Sequence, residues 1–203
     1  MKMLFLAATA IAAFTAPAHA ATIVFNDDFN SYPGNSVPWD GSGVWTTGNS
    51  VDLVTSGSFG LTCAGGTGNC VDLTGSGSTG AISKLLSLAA GTYELSFKYT
   101  GNQLGSQFPL AGFTVAAGSL VQAFTSLPND SSVFTTFTGS FTTAGATTLS
   151  FTQNGGDPFR GSIIDDVTVT AVPEPATWAM LIMGFGLAGF ALRRQPKVQV
   201  RFA

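Results

Sequence analysis

Histidine and charge are both scarce in this chain. Its 203 residues contain one histidine, His19, and only 9% of them are charged. Beyond position 19, the lack of an imidazole excludes Ser-His-Asp triads, Cys-His pairs and histidine metal ligands. Low charge alone would also fit disorder, but 45% hydrophobic residues and 17 phenylalanines are enough to build a packed core.

Basic residues are especially rare in the central region. Residues 21–172 carry ten acids against three bases, which are Lys84, Lys98 and Arg160. A domain this acidic repels phosphate backbones, so nucleic acid is not expected as a partner. Apart from Lys2, the remaining bases follow the last apolar run, as is typical of a loop retained on the cytoplasmic side of a membrane. They are Arg193, Arg194, Lys197 and Arg201.

Long apolar runs occur only near the two ends. The first 20 residues combine Lys2, an apolar stretch and a small-residue site ending at Ala20. This pattern predicts a secretory signal peptide over 1–20, which signal peptidase removes after Ala20. Cysteine is limited to Cys63 and Cys70, and in an oxidising compartment this pair favours one disulfide over free thiols or a metal site.

Residues 21–171 are typical of short strands separated by turns. In the clearest alternation, Tyr93, Leu95 and Phe97 face one way and leave Glu94 on the polar face. Other strands are predicted near 51–55, 59–63, 70–74, 81–88, 113–115, 133–141, 147–152 and 163–170. The pattern predicts an all-β fold, an antiparallel jelly-roll β-sandwich, flanked by the signal peptide and a C-terminal single transmembrane helix.

The second apolar run, 176–192, contains GFGLAG, which matches the dinucleotide-binding pattern of glycines. That pattern needs a preceding strand, a βαβ unit and a later acid, and none of these is present. As a helix the run reaches about 25 Å, the short limit for a membrane span. We therefore predict a transmembrane helix over 176–192 and a basic cytoplasmic tail over 196–203.

The segment 172–195 resembles the PEP-CTERM sorting signal in its PEP-x-x-W-A variant. The resemblance rests on Pro173, Glu174, Pro175, Trp178, Arg193 and Arg194 around the apolar run. It implies export by a Gram-negative bacterium that makes exopolysaccharide, transient anchoring in the membrane, and processing by the membrane protease-transpeptidase exosortase. The product would then lie at the cell surface or outside the cell. The extension after Arg194 is longer than the usual ending of such signals.

The sandwich is similar to galactose-binding-like jelly rolls, in particular DUF642-type domains. The matching segments include SVDLV at 50–54, VDLTGS at 71–76, AGTYELSF at 90–97 and Asp165-Asp166-Val167. The resemblance implies a non-catalytic carbohydrate-binding module associated with extracellular polysaccharide. The alternatives are a secreted glycan hydrolase that uses Asp carboxylates and a purely structural matrix or adhesive protein. The tripeptide VDL occurs twice, but three residues recur too often by chance to indicate a repeat.

Two groups of residues are candidates for ligand contacts. Asp27, Asp28, Asp165 and Asp166 would converge if the terminal strands are neighbours, and their oxygens would suit a structural Ca²⁺ ion. The alternative is that they are solvated acids at strand ends. Trp39 and Tyr32 lie in a loop-like setting where aromatic faces could contact a sugar ring. For Trp45 a buried position in the core is favoured instead.

Overall fold

The computed structural model describes residues 21–48, 50–78, 80–103, 105, 111–127, 132–172 and 177–193 of the chain. One compact unit spans Ala21–Pro173, and the helix α1 (Thr177–Arg193) belongs to a second. The predicted signal peptide 1–20, the Pro173-Glu174-Pro175 motif, Arg194 and the tail 196–203 lie outside the described residues.

The described residues of the first unit form eleven strands. They are β1 (Thr22–Asp27), β2 (Thr46–Thr47), β3 (Asp52–Thr55), β4 (Asn69–Asp72), β5 (Ala81–Leu86), β6 (Gly91–Thr100), β7 (Ala111–Ala117), β8 (Leu120–Leu127), β9 (Thr135–Thr143), β10 (Thr147–Gln153) and β11 (Ile163–Ala171). They build two antiparallel sheets. Sheet A has the order β3-β4-β11-β6-β9, with β1 also paired to β11, and sheet B has the order β2-β5-β10-β7-β8. The predicted β-sandwich is confirmed.

The main core lies between the two sheets and is built from every second residue of the strands, since successive side chains point to opposite faces. On β6, Tyr93, Leu95 and Phe97 are buried and Glu94 is exposed, as the alternation predicts. Phe97 lies near the centre, with its ring centroid 5.0 Å from those of Phe137 and Phe151. Aromatic pairs at such distances add to the free energy gained from apolar burial.

A second, smaller cluster covers part of the outer face of sheet A. On β3, Leu53 belongs to the main core and Val54 to the outer cluster, because successive side chains point to opposite faces. Leu61, Cys63 and Cys70 complete this cluster together with Ile163. Cys63 and Cys70 form the predicted disulfide, so the segment 56–68 is held over the sheet.

One predicted strand is wrong. Phe59 and Gly60 belong to a 3-10 turn at Ser58–Gly60, and residues 61–63 follow it without forming a strand. Gly57, Phe59 and Gly60 all have positive φ angles, of 89°, 54° and 78°. Backbone in this region is incompatible with a strand, although the apolar letters of the segment resemble one.

The predicted C-terminal helix is confirmed as α1, which spans 17 residues and ends at the exposed Arg193. Trp178 lies in its first turn. Within the described part of the chain, no helix is both long and apolar enough to cross a membrane.

Candidate functional site

Asp27, at the end of β1, organises a cluster of aromatic side chains inside the sandwich. Its Oδ2 accepts hydrogen bonds from Trp45 Nε1 at 2.8 Å and from the Tyr32 hydroxyl at 2.5 Å. Its Oδ1 accepts from the Phe29 backbone N–H at 2.9 Å. Burial and the bond to Asp27 raise the pKa of the Tyr32 hydroxyl. The carboxylate therefore satisfies buried donors of the core itself.

This arrangement corrects the prediction of a sugar-binding aromatic surface. Trp39 is only 2% exposed, and its Nε1 donates to Ser42 Oγ at 3.0 Å. The Tyr32 and Trp39 rings pack together at 5.4 Å, and Tyr32 is half-buried. Because Trp39 is buried, the two rings do not form an exposed aromatic surface. The buried position expected for Trp45 is confirmed at 3% exposure.

The expected convergence of the four terminal-strand aspartates is also wrong. Strands β1 and β11 do pair, but Asp27 faces the inter-sheet core whereas Asp165 lies on the outer face of sheet A. Asp165 accepts from the Ala64 N–H at 2.9 Å, and Asp166 pairs with Lys98 at 2.7 Å. The exposed Asp28 accepts from the Asn30 N–H. The four carboxylates therefore do not meet at one point, because the side chains of Asp27 and Asp165 leave the sheet on opposite sides.

Among the described residues, one group of three potential metal ligands lies close together: Cys63, Cys70 and Asp165. The two sulfurs are joined in the disulfide and offer no thiolate. Burial raises the pKa of Asp165 to about 7. This group stabilises the outer layer and does not fit a metal ion.

A cleft on the outer face of sheet A is the strongest candidate for a ligand site. It has a volume of about 150 Å³ and lies at the β3-β4 edge, beside the segment that carries the disulfide. Its lining residues are Val37, Asp52, Val54, Phe59, Leu61, Asp72, Gly75 and Phe159. Two wider depressions, of about 490 and 400 Å³, do not bring two exposed aromatic rings beside carboxylates.

Two exposed phenylalanines form walls of this cleft. Phe59 is 64% and Phe159 60% exposed to solvent, although both are apolar. Phe59 is held in the left-handed backbone region at a φ of 54°, which is uncommon for a bulky residue. Phe159 lies in a turn closed by its own N–H, which donates to Asp157 Oδ1 at 2.9 Å. Exposed aromatic side chains on constrained backbone are typical of ligand-contacting surfaces.

Two carboxylates, Asp52 and Asp72, line the same cleft. They are directly opposite each other in the antiparallel register of β3 and β4, and they are 5% and 3% exposed. Asp52 Oδ1 accepts from Ser76 Oγ at 2.7 Å, and Asp72 Oδ1 accepts from the backbone N–H groups of Thr74 and Gly161 at 2.8 and 2.9 Å. No described residue donates to Oδ2 of either aspartate.

Burial and mutual repulsion govern the protonation of this pair. Burial raises the pKa of Asp72 to about 7, partly offset by the two backbone donors, and the neighbouring charge of Asp52 raises it further. Burial also raises the pKa of Asp52, while the bond from Ser76 opposes this. Two carboxylates at cross-strand distance repel each other, and a bound cation or hydroxyl donor would relieve that repulsion.

Sequence reasoning missed all four of these residues. Asp52 and Asp72 are the central residues of the two VDL tripeptides, which lie on paired strands with Leu53 opposite Val71. The repeated tripeptide was thus the one available signal. Phe59 and Phe159 are 100 positions apart in the chain and carried no such signal.

Comparison with known proteins identifies the C-terminal segment. Residues 171–195 match the PEP-CTERM protein-sorting motif. This motif indicates export and sorting to the cell surface. No curated protein matches the chain.

Solved structures resemble the sandwich at low sequence identity. The K3 cleaved adhesin domain of Lys-gingipain from Porphyromonas gingivalis w83 has a TM-score of 0.50 and 19% identity, over 75% of this chain and 100% of that domain. The CBM22-1 xylan-binding domain of Xyn10C from Paenibacillus barcinonensis has a TM-score of 0.49 and 15% identity, over 78% of this chain and 99% of that domain. The carbohydrate-binding module CBM6cm-2 of Cellvibrio mixtus lichenase 5A, in complex with cellotriose, has a TM-score of 0.42 and 12% identity, over 74% of this chain and 99% of that module. The protein thus combines a PEP-CTERM sorting motif with a β-sandwich whose fold resembles that of the K3 cleaved adhesin domain of Lys-gingipain.

Proposed function

We propose that this protein is an exported, exosortase-sorted surface or extracellular-matrix protein associated with exopolysaccharide. Its sandwich is a non-catalytic carbohydrate-binding module. The observation that carries this proposal is the cleft in which exposed Phe59 and Phe159 flank the carboxylates of Asp52 and Asp72. Aromatic faces pack on sugar rings, and a few convergent polar groups orient the hydroxyls.

The cleft offers the polar contacts that a sugar needs. Sugar hydroxyls are donors, and Oδ2 of Asp52 and Asp72 are acceptors without a donor among the described residues. The other carboxylate oxygens are held by Ser76, Thr74 and Gly161, which orients the pair before a ligand arrives. Hydrogen bonds to charged acceptors are stronger than neutral ones, so this small set can give useful specificity.

The sorting part of the proposal concerns the two ends of the chain. Signal peptidase removes the segment 1–20, and the 176–192 run holds the precursor transiently in the inner membrane of a Gram-negative bacterium. Arg193 and the following bases stay on the cytoplasmic side, and exosortase then removes the tail. The described helix has 17 residues, the short limit for a span, and fractionation of the precursor between membrane and soluble fractions tests its retention.

Binding to glycans tests the proposal directly. Mature protein recovered from its host is applied to a glycan array, and affinities for the bound glycans are measured by calorimetry. We expect Phe59→Ala and Phe159→Ala to weaken binding about tenfold each, since stacking on an aromatic face contributes about 1 kcal/mol or more. Leu85→Ala, which removes an equally exposed apolar side chain from sheet B, should leave affinity unchanged. An absence of saturable binding to any glycan would instead support a purely structural matrix or adhesive protein.

A hydrolase is the second candidate, favoured by one observation. Asp52 and Asp72 are paired carboxylates whose pKa values are both raised, in a cleft, as in acid-base catalysis by two carboxyl groups. Release of reducing ends from a bound glycan, abolished by Asp72→Asn while binding persists, would establish this activity. Intact glycan after prolonged incubation would exclude it.

A further inference from the structure

The cleft combines aromatic walls with negative charge and lacks a positive charge of its own. Its lining contains two aspartates and no lysine or arginine. The nearest base in sequence, Arg160, forms an ion pair with Asp157 at 3.5 Å. Across residues 21–172 acids outnumber bases by ten to three, and the described lining of the cleft itself holds carboxylates as its only charged groups.

We propose that the cleft recognises a sugar residue with a free, protonated amino group, in preference to neutral sugars and against uronic acids. This inference rests on the proposed carbohydrate-binding function and names its ligand class. The ammonium group is placed between Asp52 and Asp72, and the sugar ring lies against Phe59 or Phe159.

The charge pattern of the cleft carries the first step. Asp52 and Asp72 are opposite each other on paired strands, so ionisation of both is opposed by their repulsion. An ammonium group between them supplies donors to the two free Oδ2 atoms and cancels that repulsion. A neutral hydroxyl supplies the hydrogen bond without the charge, and a uronate adds a third carboxylate.

The aromatic walls carry the second step. A cation near the face of an aromatic ring is attracted by the ring's electrons, by about 0.5–2 kcal/mol depending on exposure to water. Phe59 and Phe159 are held beside the two carboxylates, so one amino sugar can contact both kinds of group. The aromatic contact and the ionic contact therefore favour the same ligand.

The cleft is also built, rather than formed by chance from loose surface side chains. Asp72 is only 3% exposed, yet it borders the cleft. No described residue donates a hydrogen bond to its Oδ2. Gly75 and Gly161 leave the room that the pair occupies, because a Cβ on Gly75 would overlap the Asp52 carboxylate and one on Gly161 would lie 2.5 Å from Asp72 Oδ1.

Four oligosaccharides of equal length test the preference for an amino sugar. They are an oligomer of glucosamine, the same oligomer fully N-acetylated, a cello-oligosaccharide and an oligogalacturonate. Calorimetry on the mature protein, at a pH that keeps the free amine protonated, should give an affinity about tenfold higher for glucosamine than for the two neutral oligomers. The oligogalacturonate should not bind, and added salt should weaken only the glucosamine complex.

Variants separate the role of charge from that of folding. Asp52→Asn and Asp72→Asn should reduce the preference for glucosamine over the cello-oligosaccharide from about tenfold to about one. A cooperative thermal unfolding transition of each variant reports that it is folded. Asp28→Asn makes the same charge change outside the cleft and should preserve the preference. If neutral oligomers or the uronate bind as well as glucosamine, the inference is overturned while carbohydrate binding stands. If none of the four binds and the array is also negative, the proposed function fails with it.

Discussion

At the scale of single residues, buried carboxylates have three different roles in this sandwich. Asp27 holds the indole and phenol donors of the inner aromatic cluster. Asp165 holds the backbone of the disulfide segment through the Ala64 N–H. Asp72 orients the cleft through Thr74 and Gly161. In each case burial is offset by at least one donor, as buried polar groups require.

Replacing Asp27 by Asn tests the inner role. The amide retains one acceptor oxygen but loses its charge and presents an NH₂ group to the donors of Trp45 or Tyr32. We expect the free energy of unfolding to fall by about 1–3 kcal/mol. Urea titration of Asp27→Asn beside Asp28→Asn, an exposed neighbour expected to change stability by less than about 0.5 kcal/mol, makes the comparison. Equal stability of the two variants would contradict the role assigned to Asp27.

Gly161 is the second test at this scale. A Cβ at this position would overlap the Thr74 N–H and press on Asp72 Oδ1, the two partners of one hydrogen bond. Gly161→Ala should therefore lower stability by about 1–3 kcal/mol through overpacking. Gly145→Ala is the control, since no atom lies within 4 Å of its added Cβ. A neutral effect at both positions would show that the cleft floor adjusts freely.

At the scale of elements, the edge formed by β3 and β4 matters most. Its outer face carries Val54 and Cys70 under the segment 56–68, and the same face carries the two carboxylates of the cleft. The alternation of a strand explains this, because Asp52 and Val54, like Cys70 and Asp72, share a face. The disulfide and the cleft are thus neighbours on one surface.

The disulfide should contribute measurably to stability. Cys63 and Cys70 are 1% and 0% exposed and are separated by seven positions. Chain-entropy arguments for so short a loop give about 2 kcal/mol. The melting temperature of Cys63→Ser/Cys70→Ser should shift downward accordingly, and the melting temperature of the variant itself should be insensitive to dithiothreitol. A variant that melts like the oxidised wild type would contradict this contribution.

At the scale of the whole molecule, the raised carboxyl pKa values predict an acid-stable fold. Asp72 and Asp165 have a pKa of about 7 when folded, against about 4 in an unfolded chain. Between pH 4 and pH 7 the folded state binds more protons than the unfolded state. The stability that these two carboxyl groups contribute is therefore fully present below about pH 4 and is lost as the pH rises through 7. Urea unfolding at intervals of pH should reveal this loss of stability between pH 4 and pH 7. Asp72→Asn and Asp165→Asn should each flatten the curve, and stability that rises over this interval would contradict the assignment.

The mature mass tests the sorting of the whole chain. Protein recovered from the native host should lack both the 1–20 segment and the tail after the sorting motif. A Pro173/Glu174/Pro175→Ala variant should lose only the signal peptide and remain in the membrane fraction. The same uncut tail in both proteins would make the helix permanent and remove exosortase from the proposal.

Several features of the fold could be predicted because they depend on local sequence. The alternation around Phe97 defined β6, and the spacing of Cys63 and Cys70 in an exported chain indicated their disulfide. The wrong strand prediction at 59–63 had a local cause as well. It followed the apolar residues of the segment and neglected the neighbouring glycines, which adopt positive φ angles. Hydrophobic periodicity reports which side of an element is buried, but not the backbone region of each residue.

The sequence by itself determined the C-terminal sorting motif, the β class, the disulfide and the acidic character of the domain, because composition and short-range patterns carry them. Only the tertiary structure decided which acids and aromatic rings meet. The register of β3 and β4 brings Asp52 and Asp72 together, and the faces of sheet A send Asp27 and Asp165 apart. Pairing between strands depends on contacts across long chain separations, and a shift of one residue would reverse every face.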